Sequence, residues 1–350
     1  MNKLETKHIN RILIRAANWV GDAVMSLPMI TSVKKNFPHA DIYILVKPWT
    51  APIFENNPDI DYIIIYDAKK KHNGIWGFLR LIKELRQYKF DLAVLIPNAF
   101  SSALISFFAG IPNRLGYNTD ARTLLLTHPV PMKPEYKKQH QIDYYMGILK
   151  GVSLHTFSNK LKLILCPCER INAENILKNA GVENFSRIIG INPGAAFGSA
   201  KRWFPEQYAQ LCQRFQAEYD NVSILVFGGP GEDKLGKKIC DIVGNKCINL
   251  CGKTTLRQAA ALIEKCSLFI TNDSGLMHIA AGLNVPQIAI FGPTNHTTTS
   301  PASLNSHIVR VPIPCSPCMK QECPLGHHNC MKAVTVEMVF ETAQNLKILI

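Results

Sequence analysis

The sequence predicts an α/β protein of two doubly wound domains, each built on a mostly parallel sheet. Three observations carry that reading. Between residues 11 and 96, short apolar runs alternate with amphipathic stretches, the order of successive βα units. The same alternation restarts near residue 187. Residues 268–294, LFITNDSGLMHIAAGLNVPQIAIFGPT, compress the pattern into a single strand, polar turn, helix and second strand, the grammar of a βαβ unit.

Taken in order, Arg11–Arg15 reads as a strand, 16–22 as a turn and 23–36 as one amphipathic helix. Strands follow at 41–46, 62–66 and 92–96, with a helix over 77–87 between the last two. In the second half 187–192 reads as a strand, and Pro205 suits the first turn of a helix reaching 217. A strand at 222–227 and a helix at 256–265 lead into the βαβ stretch. Cys166-Pro167-Cys168 interrupts the pattern, which places the boundary so that domains span 1–165 and 166–350. The last segment, 334–350, reads as a helix able to cross back onto the first domain. Two facing domains of this kind leave a cleft between their strand ends, a natural place for a shared substrate.

At 350 residues the chain is longer than one core comfortably serves. A hydrophobic content of 47% with 19% charged residues describes a folded globular protein. No apolar stretch suits a signal peptide or a membrane span, so a cytoplasmic chain with its eleven cysteines mostly reduced is expected. A net charge of +13 calls for an acidic partner. The densest basic cluster, Lys69-Lys70-Lys71, reads by default as a solvated face and has no nucleic-acid motif beside it. Anionic lipid or phosphate is therefore favoured over nucleic acid.

Four places can carry chemistry. Asp273, Ser274, Gly275 and His278 sit where a strand gives way to a helix, the end at which open α/β sheets bind ligands. The bland reading is a capped helix start. In Asn18-Trp19-Val20-Gly21-Asp22, Asp22 is either a general base or an acid favoured by the helix dipole. Residues 192–203, NPGAAFGSAKRW, form a glycine-containing loop ending in Lys201 and Arg202. Loop amides, a helix dipole and Lys201 make a diphosphate cradle there, against the alternative of a surface loop. The loop fits neither the P-loop nor the dinucleotide pattern. Cys315, Cys318, Cys323 and Cys330 fall within sixteen residues, a spacing that suits structural zinc or iron, or else ordinary thiols. Asp59-Ile60-Asp61 has the DxD form of metal-dependent sugar transfer but precedes a strand, where acids are common, and is discounted.

Together these residues resemble the lipopolysaccharide heptosyltransferases of glycosyltransferase family 9. The likeness rests on NWVGDAVMSLP (18–28), IPNAFSSALISFFAGIPNRLGY (96–117), NPGAAFGSAKRW (192–203) and TNDSGLMHIAAGLNVP (271–286), which span most of both halves. The segments around Trp19 and Asn98 favour type II members over type I. The resemblance implies a GT-B fold and an inverting transfer of heptose from ADP-heptose that requires no metal. The implied acceptor is the first heptose of the lipopolysaccharide inner core, reached by peripheral contact with the anionic inner face of the inner membrane, with no nucleic acid involved. It implies Asp22 as general base and Lys201 on the donor phosphates. Glu232 and Thr254 would lie near the nucleoside, and Asp273, Ser274, Gly275 and His278 would hold heptose and diphosphate. Where type I relatives place threonines in the phosphate loop, this chain has Ala196 and Phe197. The cysteine cluster has no part in the implied mechanism. The rivals are a type I or other GT-B nucleotide-sugar enzyme, and a nucleotide or nucleic-acid binder with a degenerate site. The latter should have lost the Asp22 or Lys201 position.

Overall fold

The computed structural model, which describes residues 4–5, 8–182 and 187–347, contains two six-stranded sheets whose neighbouring strands are all parallel. Contacts gather the chain into two units, Met1–Ile164 and Leu165–Ile350.

The first unit runs β1 Arg11–Arg15, α1 Val20–Met25, α2 Leu27–Asn36, β2 Asp41–Val46, β3 Tyr62–Ile65 and α3 Gly74–Gln87. It continues through β4 Leu92–Leu95, α4 Phe100–Phe108, β5 Asn113–Tyr117, β6 His128–Val130 and α5 Gln141–Lys150. Its strands lie in the order β3-β2-β1-β4-β5-β6. Winding proceeds outward from β1 to β3, then returns to start again at β4 on the other side of β1. The helix expected over 23–36 is two helices. Pro28 has no N–H to give and sits at the start of α2, so the ladder breaks at Ser26. The hydroxyl of Ser26 donates to the Ala23 carbonyl at 2.7 Å. The first helix starts at Val20 instead of Ala23, which puts Asp22 inside its first turn.

The second unit runs α6 Pro167–Asn179, β7 Ile188–Asn192, α7 Pro205–Glu218, β8 Ser223–Val226, α8 Asp233–Val243 and β9 Cys247–Asn249. Then come α9 Leu256–Glu264, β10 Leu268–Asn272, α10 Gly275–Gly282, β11 Gln287–Ile290, α11 His296–Thr299, β12 Ser306–Val309, α12 Asn329–Lys332 and α13 Val336–Asn345. The strand order is β12-β11-β10-β7-β8-β9, the same reversal with β7 and β10 at the centre. Both central strands are buried along their whole length, as strands covered on two faces must be. On the outside, α6 is clamped to α9 by two Arg–Glu pairs. Arg257 reaches Glu169 at 2.5 Å and Arg170 reaches Glu264 at 2.7 Å. Cys166 and Cys168 are bonded to each other at the start of α6.

The expected terminal helix is α13, and residues 348–350 lie outside the described part. Its buried face, Val339, Phe340 and Ala343, packs in the core of the second unit with Phe215 and Leu211 of α7. That face is therefore buried within its own unit. Among the described residues no helix is long and apolar enough to cross a membrane.

Candidate functional site

A doubly wound sheet has one place where adjacent strands send their connections in opposite directions, and the loops parting there leave a crevice. In the first unit that place lies between β1 and β4. A cavity of about 410 Å³ opens there, lined by Ala17, Asn18, Trp19 and Asp22 after β1, and by Ile96, Pro97 and Asn98 after β4. Lys137, Gln141, Tyr144 and Tyr145, from α5 and the residues before it, complete the wall.

Asp22 is held from across the cavity. The Tyr145 hydroxyl donates to Asp22 Oδ1 at 2.9 Å, joining residues 123 positions apart. Tyr145 is buried, and burial and the Asp22 carboxylate both push its phenol well above the ordinary range. It therefore stays protonated and acts as a hydrogen-bond donor. Gln141, one turn earlier on α5, lines the same cavity, and the Tyr145 bond fixes where the carboxylate stands.

The opposite rim is fixed by Arg122. It is fully buried, and burial lowers its guanidinium to about 10, which leaves it charged at neutral pH. It donates to the carbonyls of Tyr117 at 2.8 Å and Pro97, and to Asn98 Oδ1 at 3.1 Å. Asn98 in turn donates to the Tyr144 hydroxyl at 2.5 Å. On the near rim, Trp49 Nε1 donates to the Asn18 carbonyl at 2.7 Å and Arg15 to the Asn18 side chain at 2.6 Å. These bonds make the cavity a formed feature, because its loops have few free torsions left.

In the second unit the reversal lies between β7 and β10, and two asparagines tie those strands' ends together. Asn192 donates to Thr271 Oγ1 at 3.1 Å and to Ser274 Oγ at 2.7 Å. Asn272 donates to the Pro193 carbonyl at 2.8 Å and accepts from the Trp203 amide at 3.0 Å. Lys201 reaches Asp273 Oδ2 at 2.6 Å, with both side chains largely buried, and Thr294 donates to the same oxygen at 2.7 Å. The ammonium also lies 4.7 Å from the centre of the Phe197 ring. Ser274 caps α10 by accepting from the Met277 amide. Gly275 is the first residue of that helix, and His278, one turn on, is buried.

Glu232 stands on the neighbouring loop. It accepts from the Gly229 amide at 2.8 Å and lies 3.4 Å from Arg202. Its carboxylate presses so closely on Gly194 that a Cβ there would sit 2.1 Å from an oxygen. Thr254 lies just beyond Gly252, whose amide donates to the Gly228 carbonyl at 3.0 Å. The second unit thus gathers Lys201, Glu232, Thr254, Asp273, Ser274, Gly275 and His278 onto loops and helix starts at one end of one sheet. Asp22 stands in the first unit. Thr294, Asn272 and Tyr145 were not singled out from the sequence. Thr294 is the last residue of the 268–294 stretch that spells out the βαβ unit, whereas nothing local marks Tyr145.

The discounted acids serve the fold: Asp59 accepts from Thr31 at 2.5 Å, and Asp61 accepts from the Ile42 amide at 2.8 Å and pairs with Lys34 at 3.1 Å. Of the four cysteines expected to hold zinc or iron or else to be ordinary thiols, Cys330 has its thiol pushed up first by burial and further by Cys315, Cys318 and Cys323 nearby. Among the described residues no three His, Cys, Asp or Glu side chains form a set able to hold a metal ion. Cys323 receives backbone N–H groups, His328 foremost, which lower its thiol below the ordinary value. The loop braces the site. The Gln321 carbonyl accepts from the Ala200 amide at 3.0 Å, the Met319 amide donates to the Pro293 carbonyl at 2.8 Å, and Ser316 donates to the Gly292 carbonyl at 2.6 Å. It therefore splints both the loop bearing Lys201 and the turn bearing Thr294.

The profile of glycosyltransferase family 9 (heptosyltransferase) matches residues 78–329. Lipooligosaccharide heptosyltransferase 2 of Campylobacter jejuni subsp. jejuni serotype O:2 is 35% identical, over 96% of this chain and 98% of that one. Lipopolysaccharide heptosyltransferase 2 of Escherichia coli K12 is 30% identical, over 95% and 97%. The solved structure of E. coli ADP-heptose lipopolysaccharide heptosyltransferase II superposes with a TM-score of 0.81 at 28% identity, covering 96% of this chain and 98% of that one. The two-sheet α/β architecture is thus the GT-B fold, and the chain belongs to glycosyltransferase family 9, the heptosyltransferases.

Proposed function

We propose that this enzyme transfers L-glycero-D-manno-heptose from ADP-heptose to the first heptose of the lipopolysaccharide inner core, with inversion, at the cytoplasmic face of the inner membrane. The observation that carries the reading is a carboxylate, Asp22, positioned by a buried phenol in a polar cavity at the strand-reversal point of a family 9 chain. The names of the full-length relatives supply the substrate class.

Inversion requires one in-line displacement. Asp22 takes the proton from the acceptor hydroxyl while that oxygen attacks the anomeric carbon of heptose. The bond from that carbon to the diphosphate oxygen breaks on the opposite side, and ADP departs with the electron pair. Charge develops on the leaving diphosphate, where preorganised donors contribute most. Lys201, the amides of the 193–200 loop and the start of α10 supply them. Asp273 and Thr294 hold Lys201 in place, and Glu232 and Thr254 serve the nucleoside side. Ser274, Gly275 and His278 hold the heptose and diphosphate. No step is given to the cysteine loop.

Purified protein should convert ADP-heptose and an inner core bearing one heptose into a core bearing two. Equal or greater transfer to a core bearing none, or use of UDP- or GDP-sugars instead, would overturn the assignment.

Replacing Asp22 with Asn should lower turnover by about 10²–10⁴ with donor affinity near wild type. Retention of more than about a tenth of turnover would remove Asp22 from the base role. In Tyr145→Phe the carboxylate loses a donor that favours its charged form, so it protonates more readily. The acidic limb of the kcat–pH profile should then move to higher pH with donor KM unchanged. An unmoved limb would leave Tyr145 a packing residue.

Lys201→Ala should weaken ADP-heptose binding by about 10- to 100-fold, corresponding to about 1.5–3 kcal/mol for a hydrogen bond to a charged group. Because this strands Asp273, the double variant Lys201→Ala/Asp273→Asn should regain stability without regaining affinity. Donor affinity and turnover unchanged in both variants would make Lys201 a structural cation only. Exhaustive chelation should leave turnover within about twofold, since the charge-stabilising groups named here are all side chains and amides. A loss restored by a divalent cation would contradict that.

A further inference from the structure

The outer face of α3 is built unlike an ordinary surface helix. Its inner face, Leu81, Ile82 and Leu85, is buried in the first unit's core. The first half of its outer face exposes Ile75 (66%), Trp76 (80%) and Leu79 (48%). The second half exposes Arg80, Lys83 and Arg86, and Lys69, Lys70 and Lys71 precede the helix on the surface. Every exposed residue from 69 to 88 is neutral or cationic. The one acid in that span, Glu84, is partly covered and already paired with Lys71 at 2.9 Å.

The end of α4 extends the patch. Phe107 and Phe108 are each 44% exposed. Phe108 meets Phe78 of α3 edge-on at 6.0 Å, Arg86 donates to the Phe108 carbonyl at 2.9 Å, and the Arg114 guanidinium lies 5.4 Å from the centre of the Phe107 ring. An exposed indole with aliphatic neighbours, ringed by cations that can extend past them, is the chemistry of a helix lying in a phospholipid interface.

The patch also stands at the right end of the unit. Lys69 Nζ lies 5.8 Å from the Trp49 ring centre, and Trp49 donates to Asn18 on the cavity rim at 2.7 Å. A surface that seats the start of α3 therefore brings the mouth of the Asp22 cavity close to it.

We infer that the outer face of α3, with the end of α4, is a docking surface for an anionic phospholipid bilayer. The inference deepens the reading above, in which the acceptor is anchored in a membrane, by assigning the residues that make contact. Apolar insertion supplies the hold and the cations supply selectivity for anionic lipid, so binding should weaken as salt rises.

The test is co-sedimentation of the full chain with vesicles of phosphatidylethanolamine and phosphatidylglycerol, and with vesicles of phosphatidylcholine alone. Wild type should partition onto the first and far less onto the second. The double variants Trp76→Ser/Leu79→Ser and Arg80→Glu/Lys83→Glu should each lose about tenfold or more of that partition. Their thermal unfolding and their turnover on detergent-dispersed acceptor should be unchanged. Wild type that stays in solution with both vesicle types, or variants that partition like wild type, would overturn the inference. So would a dimer in sedimentation velocity that Trp76→Ser/Leu79→Ser dissociates, because a second copy would then be the occupant. Vesicle binding by this face in a chain that transfers no heptose would reject the functional reading and leave the docking surface standing.

Discussion

The geometry of this enzyme depends on a constraint of parallel sheets: a strand order that winds outward, returns and winds the other way must part its loops at one point. In the first unit that point separates β1 from β4, and in the second β7 from β10. Every residue given a role in transfer lies on loops or helix starts at the end of the strands where such a point opens, or is reached from there. The constraint supplies a crevice but not its chemistry. The chemistry comes from what closes each crevice: a buried arginine and a tyrosine pair in the first unit, two cross-tied asparagines in the second.

The two sites use charge in opposite ways. The first unit offers a carboxylate that accepts a hydrogen bond from a protonated phenol, which holds its position and favours its anionic form. The second offers a cation already bound to a carboxylate. A largely buried ammonium without a partner would be expensive to keep dry, so Asp273 makes Lys201 tolerable before any donor arrives. In the proposed reading a diphosphate that comes to Lys201 meets the negative charge of Asp273 as well. Thr294 and the capped start of α10 temper that repulsion by spreading hydrogen-bond donors around the same corner. A preorganised corner of this sort binds the ground state less tightly than an unopposed lysine would. It answers best when extra charge develops on the leaving oxygen.

The central strands were legible because burial on both faces turns them into continuous apolar runs, as in LFITN and IIGIN. Four strands were not. β5 carries Asn113, Arg114 and Gly116 among its five residues, β6 is three residues with a proline, β9 is three residues, and β12 begins with two polar residues. The last three are edge strands, half exposed, so their pattern fades into that of loops. The break at Ser26 was missed because 23–36 keeps helical periodicity straight through Pro28. In the site, loop residues with unusual chemistry were readable: Asp22, Lys201, and the run from Asp273 to Gly275. Their partners were not. A tyrosine 123 residues from the aspartate it touches leaves no local signature, and neither does the pairing of Lys201 with Asp273, both of which had been read as facing the donor.

The loop that carries four cysteines within sixteen residues is a structural tie through its backbone. Gly198 lies against Gln321 so closely that a Cβ would sit 2.2 Å from the carbonyl oxygen, and Ala200 donates to that same oxygen. The strand-to-helix loop carrying Lys201 is long and rich in small residues, and on its own it would sample many conformations. Pressing it against a second loop that is also anchored at Gly292 and Pro293 removes that freedom before the donor binds. The position of Lys201, the proposed phosphate ligand, is thus set by residues more than a hundred positions further along the chain, outside every motif that announces the chemistry.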